Sequence, residues 1–196
     1  MRVFITGGCK NGKSTHAERI AVRQRQPDGQ LYYIATMVPA DAEDEARILR
    51  HQNQRAGLGF TTLETRNGID RLTENLDMSA SFLLDSVTAL FGNEYFSIPD
   101  ALDYQAADRV ANQLCQLASK AQNIVLVSDY IYSDAFLYDD LTDSFQRGLA
   151  FIDRSLAAVC DVVLEVCFGS VIVHKQPHQL DNSVFDLPEF RSAVCY

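Results

Sequence analysis

The sequence contains no apolar run near the roughly 18 residues that a membrane-spanning helix requires. Gly7 interrupts the apolar stretch at the start of the sequence, too early for the apolar core of a signal peptide. We therefore expect a cytoplasmic protein without a membrane span. The five cysteines include no Cys-x-x-Cys pair, so neither a disulfide framework nor a four-thiolate zinc site is indicated. With 196 residues, the chain is long enough for one domain with a sizeable core.

Basic residues are also few in this sequence. The 17 lysines and arginines are outnumbered by 26 aspartates and glutamates, which gives a formal net charge of −9. An average field of this sign repels nucleic acid and anionic membranes, so we expect neither as a partner. The charge is unevenly distributed, because residues 1–71 carry +3 and residues 72–196 carry −12. The positive part contains both motifs on which the functional interpretation depends.

Short apolar runs alternate with amphipathic stretches along the chain. This alternation predicts an α/β fold, with a mainly parallel sheet and helices on both of its faces. The predicted strands cover residues 3–6, 31–36, 60–64, 82–85, 123–129, 161–166 and 171–173. The predicted helices cover residues 13–24, 42–56, 101–121 and 137–159. Only residues 167–170 separate the last two strands, so we expect an antiparallel C-terminal edge.

The segment GGCKNGKS, which ends at Ser14, matches the phosphate-loop pattern G-x-x-x-x-G-K-[ST] between a predicted strand and a predicted helix. Its glycines let the backbone curl so that successive N–H groups face the phosphates, and the helix start adds its positive dipole end. We predict that Lys13 contacts the β- and γ-phosphates and that the Ser14 hydroxyl ligates Mg²⁺. The predicted nucleotide-binding residues of this loop are Gly7, Gly8, Cys9, Lys10, Asn11, Gly12, Lys13, Ser14 and Thr15.

The phosphate loop makes the predicted fold P-loop NTPase-like. We expect residues 1–175 to form the nucleotide-binding domain and residues 176–196 to form a C-terminal tail, packed on it or extending from it. A magnesium site in such a fold also takes an acidic residue at the end of a neighbouring strand. Asp85 and Asp129 both satisfy this rule, and we favour Asp85, although a strand-end aspartate also serves as a helix cap.

A second pattern lies in the predicted helix 42–56. Arg47, His51 and Arg55 follow one another at intervals of four, so a helix places them on one face. Two interpretations stay open on spacing alone. The face is either an anion-binding site or a solvated basic surface paired with Glu43 and Glu45.

The other three histidines have simpler interpretations. We expect His16, in the first turn of the helix after the phosphate loop, to be a packed or hydrogen-bonded structural residue. His174 and His178 are four residues apart, but Pro177 between them argues against a helical two-histidine metal site. We therefore expect both to lie on the surface.

Six segments, in order and with matching spacing, resemble the bifunctional adenosylcobinamide kinase and adenosylcobinamide-phosphate guanylyltransferase family of cobalamin synthesis over roughly residues 2–175. They are ITGGCKNGKSTHAE, YIAT, EARILRHQNQR, FTTLE, LLDSVTALFGN and LAAVCDVVLEV. The resemblance implies phosphorylation of a corrinoid hydroxyl by ATP or GTP. It also implies a second step, in which GMP passes from GTP to that phosphate through a GMP-histidine intermediate. A homotrimer is implied as well.

The resemblance also implies which residues form the site. The family's R-I-x-x-H motif begins here at Arg47, which makes His51 the nucleophile. We expect Arg47, Arg50 and Arg55 to hold the triphosphate while charge builds up on it. The guanine-nucleotide contacts implied by the family are Ala35, Thr36, Met37, Gln52, Asn53, Gln54, Arg55, Glu64 and Asp85.

The C-terminal half departs from the family pattern at polar positions. The segment 129–132 reads DYIY where the family has NEVG, Asp143 replaces a usual arginine, and Asp153 replaces a usual asparagine. Two alternatives therefore stand beside the bifunctional enzyme. One is a divergent P-loop small-molecule kinase without guanylyltransferase activity, and the other is a nucleotide-binding regulatory homologue that has lost catalysis.

Overall fold

Seven strands form a single sheet in the order β3-β2-β4-β5-β1-β6-β7. The structure is a computed structural model, which describes residues 1–39, 41–98, 101–133 and 135–178, without the side chains of Arg47 and Gln54. Neighbouring strands are parallel except β7, which pairs antiparallel with β6. The strands are β1 (Arg2–Gly7), β2 (Leu31–Ala35), β3 (Thr61–Glu64), β4 (Ser81–Asp85), β5 (Asn123–Val127), β6 (Val162–Cys167) and β7 (Ser170–Lys175).

Helices cover both faces of the sheet because side chains alternate along its buried strands. In β1, Val3 and Ile5 belong to the core against α1, whereas Phe4 belongs to the core against α3 to α6. The helices are α1 (Lys13–Gln24), α2 (Ala42–Arg55), α3 (Ile69–Thr73), α4 (Val87–Tyr95), α5 (Ala106–Lys120) and α6 (Asp140–Val159). This architecture confirms the predicted fold class and the predicted antiparallel edge.

None of the helices in the described part of the chain combines the length and the apolar character that crossing a bilayer takes. Residues 179–196 lie outside the described residues, so the predicted tail is described only over 176–178.

The carboxyl ends of three strands meet at one edge of the sheet. β5 lies between β1 and β4, with Val127 level with Ile5 on one side and with Asp85 on the other. In open α/β sheets, ligands bind outside the carboxyl ends of the strands. The phosphate loop and the acid at the end of β4 are therefore brought to the same place.

Several predicted boundaries were wrong, each for a local reason. The predicted strand 123–129 ends at Val127, and on the β4 side the backbone N–H of Asp129 then donates to Thr88 Oγ1 at 2.9 Å instead of to a strand carbonyl. The predicted helix 101–121 begins only at Ala106, because the Asp103 carboxylate accepts the N–H of Gln105 at 3.0 Å in a preceding turn. The predicted helix 137–159 begins at Asp140, because the Asp139 carboxylate caps it by accepting the backbone N–H of Thr142 at 2.7 Å.

Two helices were missed. The longer of them, α4, begins after Ser86, whose hydroxyl accepts the backbone N–H of Ala89 at 3.2 Å. Serine is a preferred N-cap, so this start was readable from the sequence. The shorter, α3, spans five residues and follows Gly68, which has a left-handed φ of 67°.

One buried acid ties α6 to the segment after β5. Asp153 is 2% exposed, and its Oδ2 accepts the Tyr132 hydroxyl at 3.0 Å. Its other carboxylate oxygen has no hydrogen-bond partner among the described residues. Burial raises the pKa of Asp153 to about 7. Hydrogen bonds from the Ser128 and Tyr132 hydroxyls lower this pKa, and the negative charge of Asp129 raises it slightly further.

Replacing Asp153 with asparagine should make unfolding less sensitive to pH. The folded wild type holds the Asp153 proton up to about pH 7, whereas an unfolded aspartate loses it near pH ~3.9. Wild-type stability therefore falls as pH rises through this window. We expect the midpoint temperature of D153N to exceed that of the wild type by a few degrees at pH 8, and by less at pH 5.

The matched control is Asp143→Asn on the same helix. The Asp143 side chain is half-exposed and pairs with the exposed Arg147 at 2.7 Å, so its replacement should change stability little and equally at both pH values. An advantage of D153N that is the same at pH 5 and pH 8 would contradict the assignment of a raised pKa to Asp153.

Candidate nucleotide-binding site

The loop between β1 and α1 has the backbone shape of a phosphate-binding loop. Gly12 caps α1 with a left-handed φ of 92°, and Lys10 also has a positive φ of 58°. The first turn of α1 contains no acidic side chain, so no carboxylate competes with an anion for its free N–H groups. The loop therefore leaves the positive end of the helix dipole open to a ligand.

Contacts with β6 hold this loop in place. The Asn11 side-chain amide donates to the carbonyl oxygen of Val166, and Asn11 Oδ1 accepts the backbone N–H of Lys13 at 3.3 Å. Gly7 has a φ of 148°, and a Cβ at this position would overlap the same Val166 carbonyl oxygen. Only glycine fits so close an approach of two backbones.

The Lys13 ammonium group lies inside the loop. Its side chain is 7% exposed, and Nζ donates to the Gly8 carbonyl oxygen at 2.8 Å. The same Nζ forms an ion pair with Asp129 Oδ1 at 2.8 Å. The lysine of a phosphate loop contacts the β- and γ-phosphates of a nucleotide, and the position of Nζ inside the loop agrees with that motif.

Asp85 is held at the end of β4 by a neighbouring strand. The Tyr33 hydroxyl donates to Asp85 Oδ2 at 3.0 Å. Burial, followed by the charge of Asp85, raises the pKa of Tyr33, so the phenol stays a donor. Beyond β2, the Thr36 hydroxyl donates to the Ser86 carbonyl oxygen at 2.7 Å, and the Asn93 amide donates to the Thr36 carbonyl oxygen at 2.8 Å. The ends of β2 and β4 thus form one hydrogen-bonded unit.

Helix α2 is anchored so that His51 faces the same region. At its start, Asp41 accepts the backbone N–H of Asp44 at 2.9 Å. At its end, the Arg55 guanidinium carbon lies 3.8 Å from the centre of the Tyr33 ring, and Arg55 is 7% exposed. His51 lies one turn before Arg55, on the same face. The interpretation as a solvated basic face is therefore wrong for Arg55.

Buried charge near Asp85 is partly balanced. Glu18 of α1 is 5% exposed. Burial, followed by the charge of Asp85, raises the pKa of Glu18 to about 7, while Arg55 opposes the shift. Glu18 is therefore largely protonated below neutral pH, which limits the negative charge next to Asp85.

Two adjoining cavities form the cleft. The phosphate-loop cavity, of about 410 Å³, is lined by Cys9, Lys10, Asn11, Gly12, Lys13, Ser14, Thr15, Arg50, His51, Asp85, Ser86, Val127 and Asp129. The strand-edge cavity, of about 420 Å³, is lined by Ser14, Tyr33, Ala35, Met37, Pro39, Ile48, His51, Gln52, Arg55, Glu64, Asp85, Ser86, Thr88, Ala89 and Asp129. The linings share Ser14, His51, Asp85, Ser86 and Asp129, so the two cavities form one continuous cleft.

Most of the predicted site residues line this cleft, but some do not. Thr36 is fully buried, and its side chain contacts Ser86 instead of the cleft. Asn53 is exposed and lines neither cavity, and Gly7 and Gly8 contribute loop backbone outside the two linings. The side chains of Arg47 and Gln54 lie outside the described residues.

The remaining histidines line neither cavity. His16 is buried in α1, which agrees with its predicted structural role, and His174 and His178 are exposed. His174 Nε2 lies 2.7 Å from Glu165 Oε2 on the β6–β7 hairpin.

Besides Pro39, Ile48 and Val127, four residues that line the cleft are not among the predicted site residues. They are Tyr33, Ser86, Thr88 and Ala89. The last three lie at the start of α4, and the Ser86 N-cap pattern would have indicated this helix and its free N–H groups. Tyr33 sits inside an apolar strand, and nothing in the local sequence shows that its hydroxyl reaches Asp85.

The amino-acid sequence matches a known protein family over most of its length. The family model described as cobinamide kinase / cobinamide phosphate guanyltransferase matches residues 3–173. This chain belongs to that family.

Two curated relatives support the assignment to the cobinamide kinase / guanyltransferase family. Both are called bifunctional adenosylcobalamin biosynthesis protein CobU, and they come from Salmonella typhimurium LT2 and Escherichia coli K12. They are 30% and 29% identical to this chain over 180 residues, which cover 86% of this chain and 97% of each relative. The chain is thus a transferase of a family that acts in cobalamin biosynthesis.

A solved structure supports the fold of this family member. The PH0250 protein of Pyrococcus horikoshii OT3 superposes with a TM-score of 0.50, over 91% of this chain and 87% of that protein. The two sequences are only 10% identical, so the likeness concerns the fold alone.

Gly7→Ala should disrupt the phosphate loop of this family member. The new Cβ would overlap the Val166 carbonyl oxygen, and a φ of 148° is one that side chains rarely adopt. We expect a loss of more than ~2 kcal/mol in the free energy of unfolding, measured by urea denaturation, together with weaker ATP binding.

The adjacent glycine provides a matched control. A Cβ added at Gly8 meets no atom within 4 Å, so Gly8→Ala should leave the urea midpoint near that of the wild type. Equal stability of the two variants would contradict the proposed role of the close approach at Gly7.

Proposed function

We propose that this enzyme phosphorylates a hydroxyl of adenosylcobinamide with ATP or GTP and then transfers GMP from GTP to the new phosphate, giving adenosylcobinamide-GDP. The observation that carries the proposal is that Lys13 and His51 line the same cavity. A phosphate-holding lysine and a nucleophilic imidazole beside one triphosphate are what the two steps require. Residues 1–175 are proposed to carry both steps, and the homotrimer stays a prediction.

Ser14 and Asp85 are the residues proposed to hold Mg²⁺. Both border the two cavities, and their hydroxyl and carboxylate oxygens are the hard donors that this ion prefers. The described residues contain no group of three His, Cys, Asp or Glu side chains arranged around a metal. Two protein oxygens suit Mg²⁺ in such a cleft, since phosphate oxygens and water complete its coordination. When bound, the ion offsets charge on the phosphates.

His51 is the proposed nucleophile of the guanylyl transfer. A neutral ring nitrogen attacks the α-phosphorus of GTP, the bond to the bridging oxygen breaks, and pyrophosphate leaves. In the second displacement, an oxygen of the corrinoid phosphate attacks the same phosphorus, and the P–N bond breaks to release His51. Arg50 lines the phosphate-loop cavity and Arg55 lines the strand-edge cavity, and both are proposed to hold the triphosphate while charge builds up on it.

The strand-edge cavity is proposed to take the guanosine part of GTP. Its lining includes Ala35, Met37, Gln52 and Glu64, which the family resemblance implies as nucleotide contacts. A carboxylate such as that of Glu64 accepts hydrogen bonds but donates none. It is therefore suited to the adjacent N–H donors of guanine, which adenine does not present in the same arrangement.

His51→Ala should abolish covalent labelling by GTP. Wild-type protein incubated with Mg²⁺ and α-labelled GTP should carry a label that is lost in acid and retained in alkali, as a phosphoramidate is. We expect no such label on H51A, because no other histidine lines the cleft. Phosphorylation of cobinamide by ATP should persist in H51A, since Lys13 and the loop are unchanged.

His174→Ala is the matched control for the labelling experiment. His174 lies on the exposed β6–β7 hairpin, so H174A should be labelled like the wild type. Label that persists on H51A would contradict the assigned nucleophile. An unlabelled wild type that still phosphorylates cobinamide would favour a kinase without guanylyltransferase activity, and an inactive wild type that binds nucleotide would favour a regulatory homologue.

A further inference from the structure

We infer that Asp129 is the catalytic carboxylate that accepts the proton of the substrate hydroxyl in the kinase step. The inference rests on the proposed function, because it names the base of that same phosphoryl transfer. It starts from the ion pair between Asp129 Oδ1 and Lys13 Nζ, at 2.8 Å. Since Lys13 is the group that contacts the β- and γ-phosphates, its partner lies where the transferred phosphoryl group must be.

Two backbone hydrogen bonds fix the position of Asp129. Its own N–H donates to Thr88 Oγ1 at 2.9 Å, and the N–H of Tyr130 donates to the Gly7 carbonyl oxygen at 2.9 Å. The segment is thus held to α4 on one side and to the phosphate loop on the other. Its side chain is 23% exposed and borders both cavities, so a hydroxyl group entering the cleft can reach it.

The other two carboxylates that line the cleft, Asp85 and Glu64, have other contacts or lie farther from the phosphate loop. Asp85 accepts the Tyr33 hydroxyl at 3.0 Å and is the proposed magnesium ligand. Glu64 lies at the end of β3, which is one of the two edge strands, and it lines the strand-edge cavity but not the phosphate-loop cavity. Among the residues described in the two linings, Asp129 is the carboxylate that contacts Lys13.

The proposed kinase step is one displacement at the γ-phosphorus. The hydroxyl oxygen of the substrate attacks the γ-phosphorus, and the bond between that phosphorus and the β,γ-bridging oxygen breaks to release the nucleoside diphosphate. The hydroxyl proton passes to a carboxylate oxygen of Asp129 and then to solvent. When Lys13 turns to the phosphates, the Asp129 carboxylate loses its cationic partner and becomes available as a proton acceptor.

Asp129→Asn tests the inference, because it preserves shape and removes the base. With γ-labelled ATP and cobinamide, we expect kcat to fall by about 10²-fold or more. Binding of a non-hydrolysable ATP analogue with Mg²⁺ should be as tight as in the wild type or tighter, since no ion pair then competes for Lys13 and no carboxylate repels the triphosphate. Labelling of His51 by α-labelled GTP should persist.

Asp161→Asn is the matched control. Asp161 also forms an ion pair, with Arg2, and its side chain is 29% exposed, but it lies at the amino ends of β1 and β6, away from the cleft. We expect D161N to phosphorylate cobinamide at the wild-type rate.

Three outcomes would overturn the inference. A kcat of D129N within a few-fold of an active wild type would exclude a proton acceptor at this position. Weaker analogue binding together with loss of His51 labelling would assign Asp129 to metal or nucleotide binding instead. A wild type that phosphorylates no cobinamide would overturn the proposed function as well, which separates that failure from the first two.

Discussion

The cleft depends on the position of β5 between β1 and β4, with all three strands parallel and in register. This register sets the phosphate loop, Asp129 and Asp85 side by side without any long connecting loop. It also determines which face Asp85 presents, because Leu83, two residues earlier, packs in the core against α1 together with Tyr33. A shift of one residue would turn Asp85 to the opposite face and separate it from the Tyr33 hydroxyl.

Tyr33 connects the end of β4 to α2, the helix that contains His51. Its hydroxyl donates to Asp85, and its ring lies under the Arg55 guanidinium group at the end of α2. A cation above an aromatic ring contributes about 0.5–2 kcal/mol, more where water is excluded, and Arg55 is buried here. One side chain thus links the strand-end acid to the end of α2, one turn from His51, so changes at Tyr33 are expected to affect both ends of the cleft.

The sequence predicts those features of the structure that depend on residues close together in the chain. The phosphate loop and α1 follow from one contiguous motif, and the structure has α1 with the predicted bounds. The hairpin edge follows from the four residues, 167–170, between two apolar runs. Strand order is different, because a crossover can return on either side of β1, and no local pattern shows that β5 separates β1 from β4. For that reason both Asp85 and Asp129 were acceptable strand-end acids, and only the assembled sheet shows that Asp129 contacts Lys13.

A net charge of −9 would on average repel the triphosphates that this protein is proposed to bind. Burial of acidic side chains, however, changes the effective charge at the cleft. Glu18 lies next to Asp85 and Asp153 lies next to Asp129, and burial raises the pKa of both to about 7. Each of these two cleft carboxylates therefore has near it a second, buried acid whose pKa is raised to about neutral pH. The phosphate loop adds N–H groups that carry no formal charge. The charge near the cleft therefore depends on which acids are buried and on the buried cations Lys13 and Arg55, and not on the average composition alone.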